Sequence, residues 1–426
     1  MTKASSNTRE RSLTALGFAT ILLGVYVGWA RAHGHLDDFS VLQLMGTGIL
    51  KGENVYSFGT ATAVREGIAG MVAYPPATGF VMAPFGLFSY AAGKVAWFLT
   101  MYAAVIIGVR SLFRLAAPTL GRHVWMLTAG GILLSASIRW GVMILQGAPL
   151  VLGLLCLFIS ALHSGRPRLT FALAAVATAF KMTLSLPFLG LLLLHRRFVA
   201  LGSALLAWVA LNGLGFLRYG QGALASFREN TAAFDSIALP HNINSPDPWQ
   251  VFSSPRLDWV YLFYGASGNL PISKLLSLVC AGLVAAWLFW EGLRTRENPP
   301  LAVTTLFAAA LVCLGSLCVY HHHYDACLLF APLILIALGS DSVRKPSWAL
   351  LLTLPLALMI TIMPIGVLQS VIEASLGQHW IGLLKLSFPV CFTLSLWGLL
   401  VILRRYSARP EEATASIEIV ARPPAA

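Results

Sequence analysis

Two adjacent carboxylates, Asp37 and Asp38, follow the first long apolar run of the chain, with His33 and His35 just before them. A carboxylate at the mouth of an apolar cavity has its pKa raised by partial burial, and it can then accept a proton from a hydroxyl as a general base. Asp38 is the better placed of the pair. Phe39 beside it can seat it against an apolar wall, whereas Asp37 falls on another face of a helix beginning here, and either acid could also cap that helix. Arg139, in SIRWG, and Lys181, in KMTLSLP, are basic residues in apolar surroundings. Such a residue near a bilayer centre costs roughly 2.5 to 3.5 kcal/mol even on insertion scales, so each needs a reason. A phosphate would suit both, bidentate for Arg and as a point charge for Lys. Snorkelling or an ion pair would also satisfy them. The stretch YHHHYD at 320–325 puts three imidazoles in a row before Tyr324 and Asp325. Consecutive helical positions diverge by about 100 degrees, so the expectation is no metal site. His322 and His323 are candidates to bind phosphate or hydroxyl, the alternative being a simple polar helix end. Asp37, Tyr74, Gln146, Asn242, Asn244 and Asp325 complete the candidate polar set, with His241 beside them.

The elements that must carry these residues are helices in a membrane. Of 426 residues, 57% are hydrophobic and 11% charged, against about 25% charged in soluble domains. A helix needs about 20 apolar residues to cross the hydrocarbon core; counted so, the chain holds about twelve segments, several of them short. The predicted fold is all-α and polytopic, with two long segments, 32–86 and 218–272, on one side of the membrane. Residues 169–181 and 184–194 are too short to span and read as half-depth helices meeting at Lys181 and Pro187 around a polar cavity. The predicted organisation is one transmembrane module over 1–405 and a disordered cytoplasmic tail over 406–426.

The net charge of +12 would suggest nucleic acid in a soluble protein. Here the basic residues cluster between alternate apolar runs, the positive-inside pattern, which puts both termini in the cytoplasm and excludes a nucleic-acid role. Ala30-Arg31-Ala32 imitates a signal-peptide cleavage site, but the preceding apolar stretch exceeds the usual length of about 7 to 15 residues, so the first helix is expected to stay. The six cysteines lie in or beside apolar runs without CxxC spacing, so neither disulfides nor zinc is expected. There is no P-loop, GxSxG or HExxH motif. No cofactor is called for.

The order of these features resembles glycosyltransferase family 87. The resemblance rests on Asp38-Phe39 after the first helix, Gly52 to Tyr56, Tyr74-Pro75-Pro76 with Pro84 beyond, Gln146-Gly147, the Lys181-to-Pro187 half-helix, and His322-His323-Tyr324-Asp325 before a Pro-containing span. It covers roughly residues 13 to 405. It implies a membrane enzyme of the GT-C type in a bacterial plasma membrane, taking mannose or a similar sugar from a polyprenyl-phosphate donor to a glycolipid or glycan hydroxyl on the outer face, with inversion at the anomeric carbon. Asp38 would be the base, and Arg139, Lys181, His322 and His323 would meet the leaving phosphate. Membrane lipids, the polyprenyl-phosphate sugar and the acceptor are the implied partners.

Two other readings compete. A transporter or lipid-carrier flippase would also use broken helices and intramembrane charges, but it predicts an inverted repeat and ionisable residues mid-span. A non-catalytic envelope-glycan assembly protein would keep the loops for binding alone.

Overall fold

The computed structural model describes residues 3–32, 38–57, 72–234, 244–250, 255–295, 297–318, 321–338 and 378–408. Asp37 and Asn242, together with His33, His35 and His241, lie outside the described residues, as do the expected span at 347–364 and residues 409–426. Among the described residues the regular structure is helical. The helices are α1 (Lys3–Ala32), α2 (Asp38–Lys51), α3 (Ala77–Gly86), α4 (Tyr90–Ala116), α5 (Arg122–Leu134), α6 (Ala136–Met143), α7 (Ala148–His163) and α8 (Pro167–Phe180). They continue as α9 (Leu186–Leu194), α10 (Phe198–Tyr219), α11 (Ala223–Phe234), α12 (Trp259–Ser267), α13 (Leu270–Arg294), α14 (Leu301–Cys318), α15 (Phe330–Leu338) and α16 (Gln378–Ala408).

Six of these, α1, α4, α10, α13, α14 and α16, hold stretches long and apolar enough to cross a membrane. The pair α5 and α6 is long and apolar enough only when taken together, and it is bent by 55° at the break, as in a broken span or a re-entrant loop. Ser135 makes that break: its backbone is extended and its hydroxyl accepts the Ile138 N–H at 3.4 Å, starting α6 afresh. The chain is thus a multi-pass membrane protein. The other apolar segments are shorter helices, α3, α7, α8 and α15, fitted between the long ones. Their burial differs with position. On α14, Thr304 to Leu317 are buried all round, whereas α10 and α13 leave Leu206 69% and Leu278 70% exposed. A helix that is apolar on every face belongs inside the protein or against lipid, and both cases occur here.

The expected break between 169–181 and 184–194 is present. α8 ends at Phe180, Lys181 takes φ −148°, a 3-10 turn covers Met182–Leu184, and α9 starts with Pro187 in its first turn. The end of α8 is not left with an idle carbonyl, because the Thr78 hydroxyl donates to Phe180 O at 2.9 Å.

Among the described residues, both long segments carry helices. α2 buries Phe39, Val41, Leu42, Met45 and Ile49 and packs on α3. Its C-terminal carbonyls are capped from α10: Arg218 donates to Ile49 O at 2.9 Å and to Leu50 O at 2.7 Å. α11 lays Ala223, Phe227 and Asn230 inward at helical spacing. α2 is the helix expected to begin at the Asp37-Asp38 pair, whereas the pattern in 223–234 is too short to mark a span and reads locally as loop.

Candidate active site

Asp38 opens α2, and its backbone N–H donates to Ile144 O at 2.7 Å, tying α2 to the end of α6. There the chain turns sharply. Leu145 N–H bonds Val142 O at 3.0 Å, Gln146 N–H bonds Gly141 O at 2.7 Å, and Leu145 sits at φ 53°. This is the double bond of a Schellman ending, whose left-handed position usually falls to glycine. A leucine there costs on the order of 1 to 2 kcal/mol. Trp97 helps to hold it, donating from Nε1 to Leu145 O at 2.9 Å, while Phe39 stacks on the Trp97 ring.

The turn delivers the Gln146 side chain to the acid. Its Nε2 donates to Asp38 Oδ2 at 2.6 Å and to the Tyr74 hydroxyl at 2.9 Å, and its Oε1 accepts the Gly147 N–H at 2.9 Å. With Oε1 committed to a donor, the amide can present only its NH2 to the carboxylate. Gly147 is required by close approach, since a Cβ there would run into the Phe180 ring.

A second polar knot forms at the α8–α9 break. Lys181 Nζ lies 3.1 and 3.3 Å from the two Asp325 oxygens. His321 Nδ1 is 2.8 Å from Asp325 Oδ2, and its Nε2 is 3.3 Å from Thr183 O. Burial alone would raise the Asp325 carboxyl, but Lys181 and His321 outweigh it and hold it well below the usual carboxylate range.

Tyr74 belongs to the first knot through Gln146. Its phenol lies within the field of both Asp38 and Asp325, and burial together with these charges raises its pKa well above the usual value. It therefore stays a phenol, with a proton to donate, throughout the physiological range. Its carbonyl is held by the Tyr56 hydroxyl at 2.7 Å, and Asn230 reaches Tyr56 O at 3.4 Å and Val72 O at 3.3 Å.

The remaining candidates are distributed around this centre. His322 is buried with Nδ1 3.4 Å from Pro255 O. His323 lies among Trp140, Tyr324 and Phe388, and neither of its ring nitrogens has a hydrogen-bond partner among the described residues. Burial pushes His322 down to about 3 and His323 to about 4, so both are neutral at pH 7 and offer N–H donors rather than positive charge. Arg139 is half-buried on α6, feels the charge of Arg31 at the end of α1, and has an unpartnered buried Nε. Asn244 contributes its carbonyl, which accepts from Arg256 Nη1 at 2.7 Å.

Asp38, Tyr74 and Gln146 are thus in contact, Lys181 and Asp325 are in contact, and α6, which carries Arg139, packs both on α1 and on the 3-10 turn that holds His323 and Asp325. Sequence reasoning counted His321 in the histidine run but gave roles only to His322 and His323, although the four-residue spacing of His321 from Asp325 is a contact distance in a helical or 3-10 turn. It passed over Arg256 and Asp258, which carry no local signal beyond their adjacency. Among the described residues no three His, Cys, Asp or Glu side chains converge as metal ligands.

Chemically, the site offers a carboxylate steadied by one amide, a phenol beside it, and a Lys–Asp–His cluster beyond. That arrangement suits removal of a hydroxyl proton on one side and stabilisation of a departing oxyanion on the other. The family model of glycosyltransferase family 87 matches residues 73–319, more than half of the chain. The match contains Tyr74, Gln146 and Lys181, with Asp38 and Asp325 on its two flanks. No curated protein matches the chain significantly.

Proposed function

The chain belongs to glycosyltransferase family 87, and from that premise we propose that it transfers a sugar, mannose, from a polyprenyl-phosphate donor to a hydroxyl of a lipid-linked or envelope-glycan acceptor. Asp38 takes the proton of the acceptor hydroxyl as its oxygen attacks the anomeric carbon. The bond from that carbon to the phosphate oxygen breaks, polyprenyl phosphate leaves with the electron pair, and the new glycosidic bond has inverted configuration. Lys181, Arg139, His322 and His323 meet the phosphate, the two cations by charge and the neutral imidazoles by N–H donation. Asp37, Tyr74, Gln146, Asn242, Asn244 and Asp325 line or shape the sugar and acceptor sites. The reaction needs no metal or other cofactor on this reading.

The observation that carries it is the acid Asp38 held with Tyr74 by the Gln146 amide, together with the Lys181–Asp325 pair at the α8–α9 break. The alternation of basic segments supports cytoplasmic termini and a site on the outer face of a bacterial plasma membrane. The test uses purified protein in nanodiscs, radiolabelled polyprenyl phosphomannose and a lipid extract of the native host, with Asp38→Asn in parallel. A labelled glycolipid from the unaltered protein alone supports the transferase and its base. Equal labelling by both removes Asp38 from the chemistry. No product with phosphomannose, but product with another polyprenyl-phosphate sugar, replaces mannose as the sugar moved.

A further inference from the structure

Arg256 and Asp258 form an ion pair that the proposed chemistry does not use. Arg256 is 2% exposed and Asp258 is fully buried. The guanidinium donates from Nε and Nη2 to the two carboxylate oxygens at 2.8 and 3.1 Å, and from Nη1 to Asn244 O at 2.7 Å. The same carboxylate accepts the Tyr261 N–H at 3.1 Å and so caps α12. Burying such a pair is expensive in desolvation unless its geometry is well satisfied, and its best-attested use is to specify one arrangement of the chain. Here that arrangement is a short extended segment, 255–257, laid antiparallel on His321 and His322.

A backbone bridge and a side-chain contact make the pairing. Arg256 and His322 form an antiparallel bridge, Leu257 N–H donates to His321 O at 2.9 Å, and His322 Nδ1 is 3.4 Å from Pro255 O. His321 and His322 precede the 3-10 turn His323–Leu329: the His322 carbonyl accepts the Asp325 N–H at 3.0 Å within that turn, whereas the His321 carbonyl takes its donor, the Leu257 N–H, from this segment. The bridge holds the backbone from which the His321 ring reaches Asp325 and Thr183. We infer that Arg256 is a positioning residue: its pairing with Asp258 locks segment 255–257 onto His321 and His322 and thereby sets the Lys181–Asp325–His321 knot. The inference rests on the transferase reading for its kinetic arm alone.

The test compares unaltered protein, Arg256→Lys, and the apolar double variant Arg256→Met with Asp258→Leu, all in nanodiscs. Histidine modification by diethyl pyrocarbonate, read by mass spectrometry on the peptide holding His321 to His323, reports the lock without reference to activity. Expected are protected histidines in the unaltered protein and at least tenfold faster modification in the double variant. Transfer kinetics on phosphomannose should show a tenfold or larger rise in KM for the donor, with Arg256→Lys intermediate in both readouts. If the double variant does not fold, Arg256→Lys alone decides. Modification at the unaltered rate in the folded variants overturns the inference, as does lost transfer with histidines still protected. If the unaltered protein transfers no sugar, the transferase reading fails, while the modification rates still decide the lock.

Discussion

Gln146 Nε2 lies 2.6 Å from Asp38 Oδ2, and the Gly147 N–H on Gln146 Oε1 keeps the amide from turning over. Gln146→Glu would place a second carboxylate against the first, and two such acids cannot both ionise at this separation without raising a pKa. The acid limb of the pH profile of kcat/KM is expected to move upward by at least one unit. Initial rates measured across pH on both proteins check this, and an unmoved limb removes Asp38 from the titration that limits the rate.

The Lys181–Asp325 pair makes a separate prediction. Lys181→Met leaves the buried Asp325 without its cation; breaking one side of a buried pair costs about 3 to 5 kcal/mol. A clear drop in the apparent melting temperature in detergent is expected. Replacing both, Lys181→Met with Asp325→Leu, should recover most of that drop yet leave transfer at least a hundredfold down. Melting and activity measured on the same preparations separate the two effects. Recovery of transfer in the double variant would assign the pair to structure only.

At Gly147 the prediction is steric. A methyl group there meets the Phe180 ring, and overpacking a filled site typically costs about 1 to 3 kcal/mol. Phe180 immediately precedes Lys181, so relief of the clash moves the knot. Gly147→Ala is expected to fold with a lowered melting temperature and a raised KM for the donor, whereas Gly131→Ala, which meets nothing within 4 Å, should leave both unchanged. Kinetics and melting curves of the two variants provide the comparison.

Acid sensitivity follows from His322. Its folded-state pKa is depressed to about 3 by burial, while an unfolded histidine titrates near 6.5, so between these values the unfolded state binds more protons. Stability contributed by this group therefore falls as pH drops below about 6.5 and stops falling near 3. The apparent melting temperature should decline through that window. His322→Asn should flatten the decline, and an identical slope in both proteins would place the acid sensitivity elsewhere.

Much of the architecture is legible in local sequence. The apolar runs, the scarcity of charge and the Lys181-to-Pro187 interruption are properties of adjacent residues, and the structure has long helices and a break where they fall. The helical character of 223–234 was less legible, because a short amphipathic helix lacks the length signal of a span and declares itself by what it packs against. Leu145 was not legible at all: nothing in ILQG announces a left-handed leucine, which depends on Trp97, 48 positions away, for its hydrogen bond.

By itself the sequence determined the chemical inventory: a membrane-embedded helical chain, an acid at the start of a short helix, a lysine at a helix break, and a histidine run beside an aspartate. Each follows from residue type and from neighbours within a turn or two, where steric and solvation preferences act directly. Only the tertiary structure decided the pairings. Gln146 reaches Asp38 across 108 positions and Lys181 reaches Asp325 across 144. It also selected His321, rather than His322 or His323, as the ring on Asp325, because segment 255–257 keeps this stretch extended before the 3-10 turn. Such contacts depend on how whole helices pack, and packing energy is summed over many distant side chains rather than encoded in any one motif.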